Sequence, residues 1–226
     1  MGERPIALAN DGAAELLAAA DAALEAGAID EPEWHRRIAA VITPAYLAAE
    51  TPWAQSGRSG DAASWEWARG LLVEAARPGT FLDVGCASGY LMECMVRWCA
   101  AAGIACEPYG LEIAPELAAL AQRRLPHWRD RVLVGNALDW SPPRRFDVVR
   151  TGLEYVPGRR RRDLVGRLLA DVVAERGRLV IGVFNEERDE PRIERALAAW
   201  GFAIAGRCER LHRDPRLAYR IVWIDR

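Results

Sequence analysis

From Gly79 onward, short apolar runs alternate with amphipathic stretches in a steady rhythm. FLDVG, PYGLEI, RVLVGNA, FDVVRTG and RLVIGVF read as strands, because each is a brief apolar run bounded by turn-forming residues. GYLMECMVRWCAAAG, PELAALAQRRL, RRDLVGRLLADVVAE and EPRIERALAAW carry apolar residues at helical spacing. Only a short connection separates RVLVGNA from FDVVRTG. Short strands parted by helices predict parallel βαβ units with helices on both faces of a doubly wound, mostly parallel sheet. The chain closes differently: FAIAGRCERLHR and RLAYRIVWIDR meet through Asp214 and Pro215, leave no room for a helix, and predict a C-terminal antiparallel β-hairpin.

Ahead of this α/β pattern, residues 13–29 and 31–49 show helical spacing and predict two helices outside the main sheet. Pro32 suits a first turn, whereas Pro44 is expected to interrupt or kink the second helix. The stretch ETPWAQSGRSGDAASWEWARG has a loop at Gly57 and Gly60, then a helix capped by Asp61 or Ser64 and running to about Arg77. The division expected is an N-terminal helical cap or lid over residues 1–60 and a main domain over residues 61–226. Trp53, Gln55 and Ser56 are the expected lining residues of that lid. Trp65 and Trp67 cannot share one helix face, and at least one is expected to pack against the N-terminal helices.

Composition narrows the field. A length of 226 residues fits one large α/β domain, or one domain with a cap. The formal charge of −2 supplies no global basic field for nucleic acid or anionic membrane. All 30 basic residues are arginine, so a lysine-dependent phosphate loop is excluded. Five cysteines, an odd count without a CxxC pair, point to reduced thiols and a cytoplasmic protein. MGERPIALANDGAAELL places acids before any apolar run, which argues against a leader, and no run is long enough to cross a membrane. His35, His127 and His212 are scattered without ligand spacing, so no metal is expected. Arg159 to Arg162 read as a solvated face in preference to an RNA contact.

The chemistry concentrates at FLDVGCASG. In doubly wound sheets ligands lie beyond the carboxyl ends of strands, where strand order reverses, and the first strand flanks that crevice. Gly85 and Gly89 permit close backbone approach, and the helix beginning near Tyr90 offers unpaired N–H groups to an anionic moiety. Glu112 closes the second strand, where a carboxylate can accept from both ribose hydroxyls; the competing reading is a helix N-terminal acid ahead of Pro115. After the third strand, Asn136 and the Ala137 N–H can meet an adenine edge, the alternative being an Asn turn. GxGxxG is missing from the first turn, which leaves a nicotinamide dehydrogenase a distant second.

Taken in order, DVGCASG, GLEI, GNALDW, FDVVRTG and GRLVIGVF with a terminal hairpin resemble the class I S-adenosylmethionine-dependent methyltransferase family over residues 61–226. The resemblance implies a seven-stranded sheet whose last strand runs antiparallel. It implies S-adenosylmethionine as cofactor, with Asp83, Gly85 and Gly89 around the methionine part, Glu112 on the ribose, and Asn136 with Ala137 on the adenine. Cys86, Ile113 and Thr151 complete the cofactor contacts expected from it. Two positions depart from the common pattern: Ala87 stands where a middle glycine is usual, and Asn136 where an acid is.

Methyl transfer from a sulfonium is an in-line displacement, so alignment carries much of the acceleration. Glu154 and Tyr155, after the fourth strand, are the catalytic candidates: Glu154 as a base or amine anchor, Tyr155 to orient the acceptor or face the sulfonium. A solvent-exposed Glu and a core-packed Tyr are the alternative. No [ND]PP[YF] follows the fourth strand, no Pro-Cys pair exists, and Arg150, Thr151 and Gly152 stand where a metal-dependent catechol enzyme needs carboxylates. The expected function is O- or N-methylation of a small molecule, with the N-terminal helices available to pair two copies. RNA or protein methylation, and non-catalytic binding of S-adenosylmethionine, are the rival classes.

Overall fold

The computed structural model describes residues 11–57 and 60–226; the leader reading of the N-terminus rests largely on residues outside that range. Helices α1 (Asp11–Glu25) and α2 (Glu31–Ala48) pack as a pair, followed by α3 (Ala62–Arg69) and a 3-10 extension to Ala75. The main unit is β1 (Gly79–Val84), α4 (Tyr90–Ala101), β2 (Cys106–Glu112), α5 (Pro115–Arg124), β3 (Val132–Val134), β4 (Phe146–Thr151), α6 (Arg161–Arg167), β5 (Val173–Glu187), α7 (Arg192–Ala199), β6 (Gly206–Leu211) and β7 (Leu217–Asp225).

One sheet of seven strands in the order β3-β2-β1-β4-β5-β7-β6 holds these together. The first five strands of that order run parallel; β7 pairs antiparallel with β5 and β6 antiparallel with β7, the hairpin expected from the last two apolar runs. Alternate residues leave the sheet on opposite sides, as the pleat requires. Leu82, Val149, Leu179 and Ile181 face one core with Leu164 and Leu168. Phe81, Val148 and Val180 face another with Leu71, Leu91 and Met95. Strand order reverses between β1 and β4, so the crevice of a doubly wound sheet falls at their carboxyl ends.

Several local expectations are corrected. Helix α2 runs through Pro44 to Ala48 without a break; the carbonyl of Ala40, which Pro44 deprives of a partner, belongs to an exposed residue that water can reach. Helix α3 stops at Arg69 instead of Arg77, although Asp61 does cap it, accepting from the Ser64 N–H at 2.7 Å. The segment expected to be helical to Glu175 ends in a widened π turn at Val172, where β5 begins. Both tryptophans of α3 make contacts with the main unit. Trp65 is buried against Tyr90 in the α4 core, and Trp67 lies 53% exposed, donating to the Leu211 carbonyl of β6. Among the described residues no helix is long and apolar enough to cross a membrane.

The N-terminal pair is tied to the main unit by charge. Ala20, Leu24 and Trp34 join α1 to α2, with the Trp34 indole donating to Asp21 at 2.6 Å. Glu31, at the start of α2, pairs with Arg159 at 3.1 Å and Arg160 at 2.7 Å, and Arg161 donates to the Leu153 carbonyl. The arginine run is therefore not a purely solvated face. Two of its members, Arg159 and Arg160, tie the N-terminal pair to the segment after β4, and Arg161 braces that segment from within.

Candidate functional site

The turn after β1 is built by its backbone. Gly85 and Cys86 both donate to the Leu111 carbonyl of β2, and Gly85 adopts φ +74°, a left-handed conformation that glycine accepts without strain. Ala87 takes the same region at φ +47°, unusual for a residue with a side chain, and its N–H donates to Glu112 at 2.8 Å. That bond holds the strained turn in place. Gly89, at φ +74°, precedes α4; a side chain here would meet Leu125 at 2.6 Å. The space left by its missing side chain is filled by Leu125 and Ala121 of the α5 region.

Glu112 is 6% exposed, and its two carboxylate oxygens accept from Ala87 at 2.8 Å and Ala114 at 3.0 Å. Burial pushes its carboxyl up from the usual range, while these backbone amides and that of Ile113 pull it back down. Its role as a clamp on the turn is one that sequence reasoning did not anticipate. Each oxygen can accept a second hydrogen bond, so the clamp and a ribose contact are compatible. Beside it Ile113 and, across the pair with β3, Val134 stand 41% and 50% exposed, two apolar side chains left at the rim.

Asp83 and Arg150 face each other from paired positions of β1 and β4 and form a buried ion pair at 3.1 Å. Burial drives the Asp83 carboxyl upward, and the guanidinium opposes that push. The same Arg150 Nη1 donates to the Tyr155 hydroxyl at 2.8 Å. The Tyr155 ring lies against Gly85, so near that a β-carbon at Gly85 would be 2.8 Å from a ring carbon. Together with Ser56, Trp65 and Arg69, these groups line a cavity of about 30 Å³. Arg69 stacks on Trp65, its guanidinium carbon 4.1 Å from the ring centroid.

The remaining candidates divide. Cys86 lines the cavity, and its thiol lies against Gly110 of β2. Thr151 is buried and donates to the Gly152 carbonyl at 3.0 Å, so its hydroxyl is spent inside β4's end. Asn136 forms the turn of the alternative reading, its side-chain oxygen accepting from the Leu138 N–H at 3.0 Å; Ala137 is buried beside it. Glu154 is exposed and folds back over Gly152. Ser56 reaches the first turn, 2.7 Å from the Ser88 hydroxyl, whereas Gln55 and Trp53 brace the segment between α2 and α3 by donating to Ala49 and Gly60.

Sequence reasoning missed two contributors. Tyr46 of α2 lays its hydroxyl over Gly57; burial pushes that phenol up to about 12, Arg69 lowers it, and Glu112 and Glu154 raise it further. The cap thus inserts a hydroxyl among groups from α3, β2 and the segment after β4. Arg150 is the other, and a signal existed: a charge inside the apolar run FDVVRTG must find a buried partner.

This arrangement is the class I methyltransferase fold: a doubly wound seven-stranded sheet, an antiparallel terminal hairpin, and a glycine turn after β1 facing an acid after β2. No protein-family model and no curated protein sequence matches the chain. Solved structures do. The 1,6-didemethyltoxoflavin-N1-methyltransferase of Burkholderia thailandensis, solved with 1,6-didemethyltoxoflavin and S-adenosylhomocysteine, superposes with a TM-score of 0.60 at 19% identity, covering 88% of this chain and 91% of that one. The [4+2]-cyclase SpnF aligns with a TM-score of 0.57 at 15% identity over 75% and 83% of the two chains. N-methyltransferase NodS of Bradyrhizobium japonicum gives 0.52 at 15%, covering 72% and 95%. A cyclase on this fold shows that the scaffold alone does not fix the reaction.

Proposed function

We propose that this chain is an S-adenosylmethionine-dependent methyltransferase that methylates oxygen or nitrogen of a small molecule by in-line transfer. The observation that carries the proposal is the rim of β1 and β2: a left-handed glycine turn, strained at Ala87, clamped by a buried carboxylate that keeps spare acceptor capacity. Strain of this kind persists where the surroundings over-determine it, and it concentrates at ligand sites.

The residues fit the cofactor in character. Asp83 and the backbone of Gly85 and Cys86, with Gly89 shaping the turn from behind, would hold the methionine part; Glu112 would take the ribose diol. Ile113 and Val134 offer apolar area to a planar base, with Asn136, Ala137 and the end of β4 at Thr151 beside it. The cofactor supplies an electrophilic methyl group on a sulfonium. Glu154 would accept a proton from the acceptor or hold an amine, Tyr155 and Tyr46 would orient it, and the lid carrying Ser56 would exclude water. Residues 1–60 act as the cap and residues 61–226 as the catalytic domain in this reading. The odd, unpaired set of five cysteines supports a reducing, cytoplasmic setting, and α1 with α2 offers a surface for a second copy.

The test is calorimetry with S-adenosylmethionine and S-adenosylhomocysteine, followed by transfer of a labelled methyl group to a panel of phenols, carboxylic acids and amines. Binding of both nucleosides and labelling of at least one acceptor are expected. Heat with neither nucleoside sinks the proposal, whereas binding without transfer to any acceptor class favours a non-catalytic binding protein.

A further inference from the structure

Gly85 is a bare position in the first turn, and the chain's own Tyr155 covers its side-chain direction. A β-carbon at Gly85 would stand 2.8, 2.9 and 3.2 Å from three ring carbons of Tyr155. A ligand group cannot occupy that side of Gly85 while the ring is there. The cavity that remains beside the ring is small, about 30 Å³. The ring is also held. Its hydroxyl accepts from Arg150 at 2.8 Å, and Arg150 is anchored in turn by Asp83 at 3.1 Å. Leu153 and Val156 on either side are buried, so the segment is fixed and the motion needed is that of the tyrosine side chain.

We propose that Tyr155 is a latch on the cofactor site: its ring seals the Gly85 cradle, Arg150 holds it shut, and an adenosyl ligand with an amino-acid tail enters only after the ring has left. The inference rests on the methyltransferase reading, since it takes the Gly85 turn as the ligand's seat. Binding then proceeds against a closed population, and measured affinity is lower than the intrinsic affinity by the fraction of molecules that are open. Removing the hydroxyl loosens the latch and leaves the ring available for any contact with ligand. A tyrosine that merely lined the site would behave in the opposite sense, because losing its hydroxyl removes a contact and weakens binding.

The experiment compares the full-length protein with Tyr155→Phe, using S-adenosylhomocysteine as the probe. Calorimetry is expected to give tighter binding for the variant, on the order of tenfold, the scale of one hydrogen bond to a charged donor. A thermal melt without nucleoside is expected at lower temperature than wild type, with a larger upward shift when the nucleoside is added. Tyr155→Ala, which removes the ring as well, keeps the melt informative if the phenylalanine variant folds poorly. Equal or weaker affinity in Tyr155→Phe, with the wild-type ligand shift, overturns the latch while leaving the methyltransferase reading intact. Absence of binding by wild type and both variants overturns that reading and the latch with it.

Discussion

Two arginine–carboxylate pairs are buried here to nearly the same depth, Asp83–Arg150 with side chains 3% and 4% exposed and Glu186–Arg220 with 4% and 6%. Their surroundings differ. Glu186 accepts from Arg220 with one oxygen and from the Ile193 N–H, at the start of α7, with the other; Arg220 also reaches Glu209 of β6 at 3.0 Å and the Arg188 carbonyl at 2.9 Å. Those partners come from β5, β6, β7 and α7, so the pair knits the antiparallel end of the sheet. At Asp83–Arg150 a single nitrogen serves both the carboxylate and a tyrosine hydroxyl, beside a cavity and a left-handed glycine. One pair is tied into backbone and neighbouring strands; the other is tied to a side chain that can move. Depth of burial is nearly the same at the two pairs, and the kind of partner is what differs.

Four substitutions or conditions sharpen that contrast, beginning with the largest effect. Arg220→Met leaves Glu186 buried without its cation and is expected to lower unfolding stability by about 3–5 kcal/mol in a denaturant titration. The folded protein should still bind S-adenosylhomocysteine with wild-type affinity; lost binding would move this pair into the site. Glu112→Gln replaces an acceptor-only group that serves two amides, and a loss of about 1–3 kcal/mol is expected together with at least about tenfold weaker nucleoside binding. Unchanged calorimetry would detach Glu112 from the ligand.

Gly85→Ala meets both the positive φ and the Tyr155 ring, so it is expected to destabilise by about 1–2 kcal/mol and to weaken nucleoside binding. A melt at the wild-type temperature would contradict the tight packing described. The smallest effect concerns pH at the cap. Burial holds the His35 imidazole below its ordinary value of 6.5, with Glu31 and Asp139 raising it and Arg160 lowering it. Between the lowered folded value and 6.5 the unfolded chain binds more protons, so this contribution is complete above 6.5 and is lost as pH falls through the folded value. Amide protection factors in α2, taken relative to the base-catalysed intrinsic rate, are expected to fall modestly from about pH 7.5 to about pH 5.5, and His35→Gln to flatten the change. Protection that rises on acidification would reverse the sign.

The order of strands and helices was legible because apolar period 2 and period 3.6 are local properties, and each βαβ unit announces itself in a few dozen residues. The turn after β1 and the acid after β2 were legible for the same reason. What escaped the sequence is set by partners far away along the chain. Arg159 and Arg160 find Glu31 nearly 130 residues earlier, Trp65 finds Tyr90, and Gly89 is occupied from behind by Leu125. Tyr46 enters the site only because Gly57 leaves room for its hydroxyl. Spacing patterns report which face a residue shares; they do not report which distant element fills it.

A structure of the protein with S-adenosylhomocysteine tests the central claim most directly. The account predicts the ribose hydroxyls on the Glu112 carboxylate, the amino-acid tail beside Asp83, and the Tyr155 ring displaced from Gly85. A nucleoside bound away from Glu112, with Tyr155 still seated on the glycine, would contradict it.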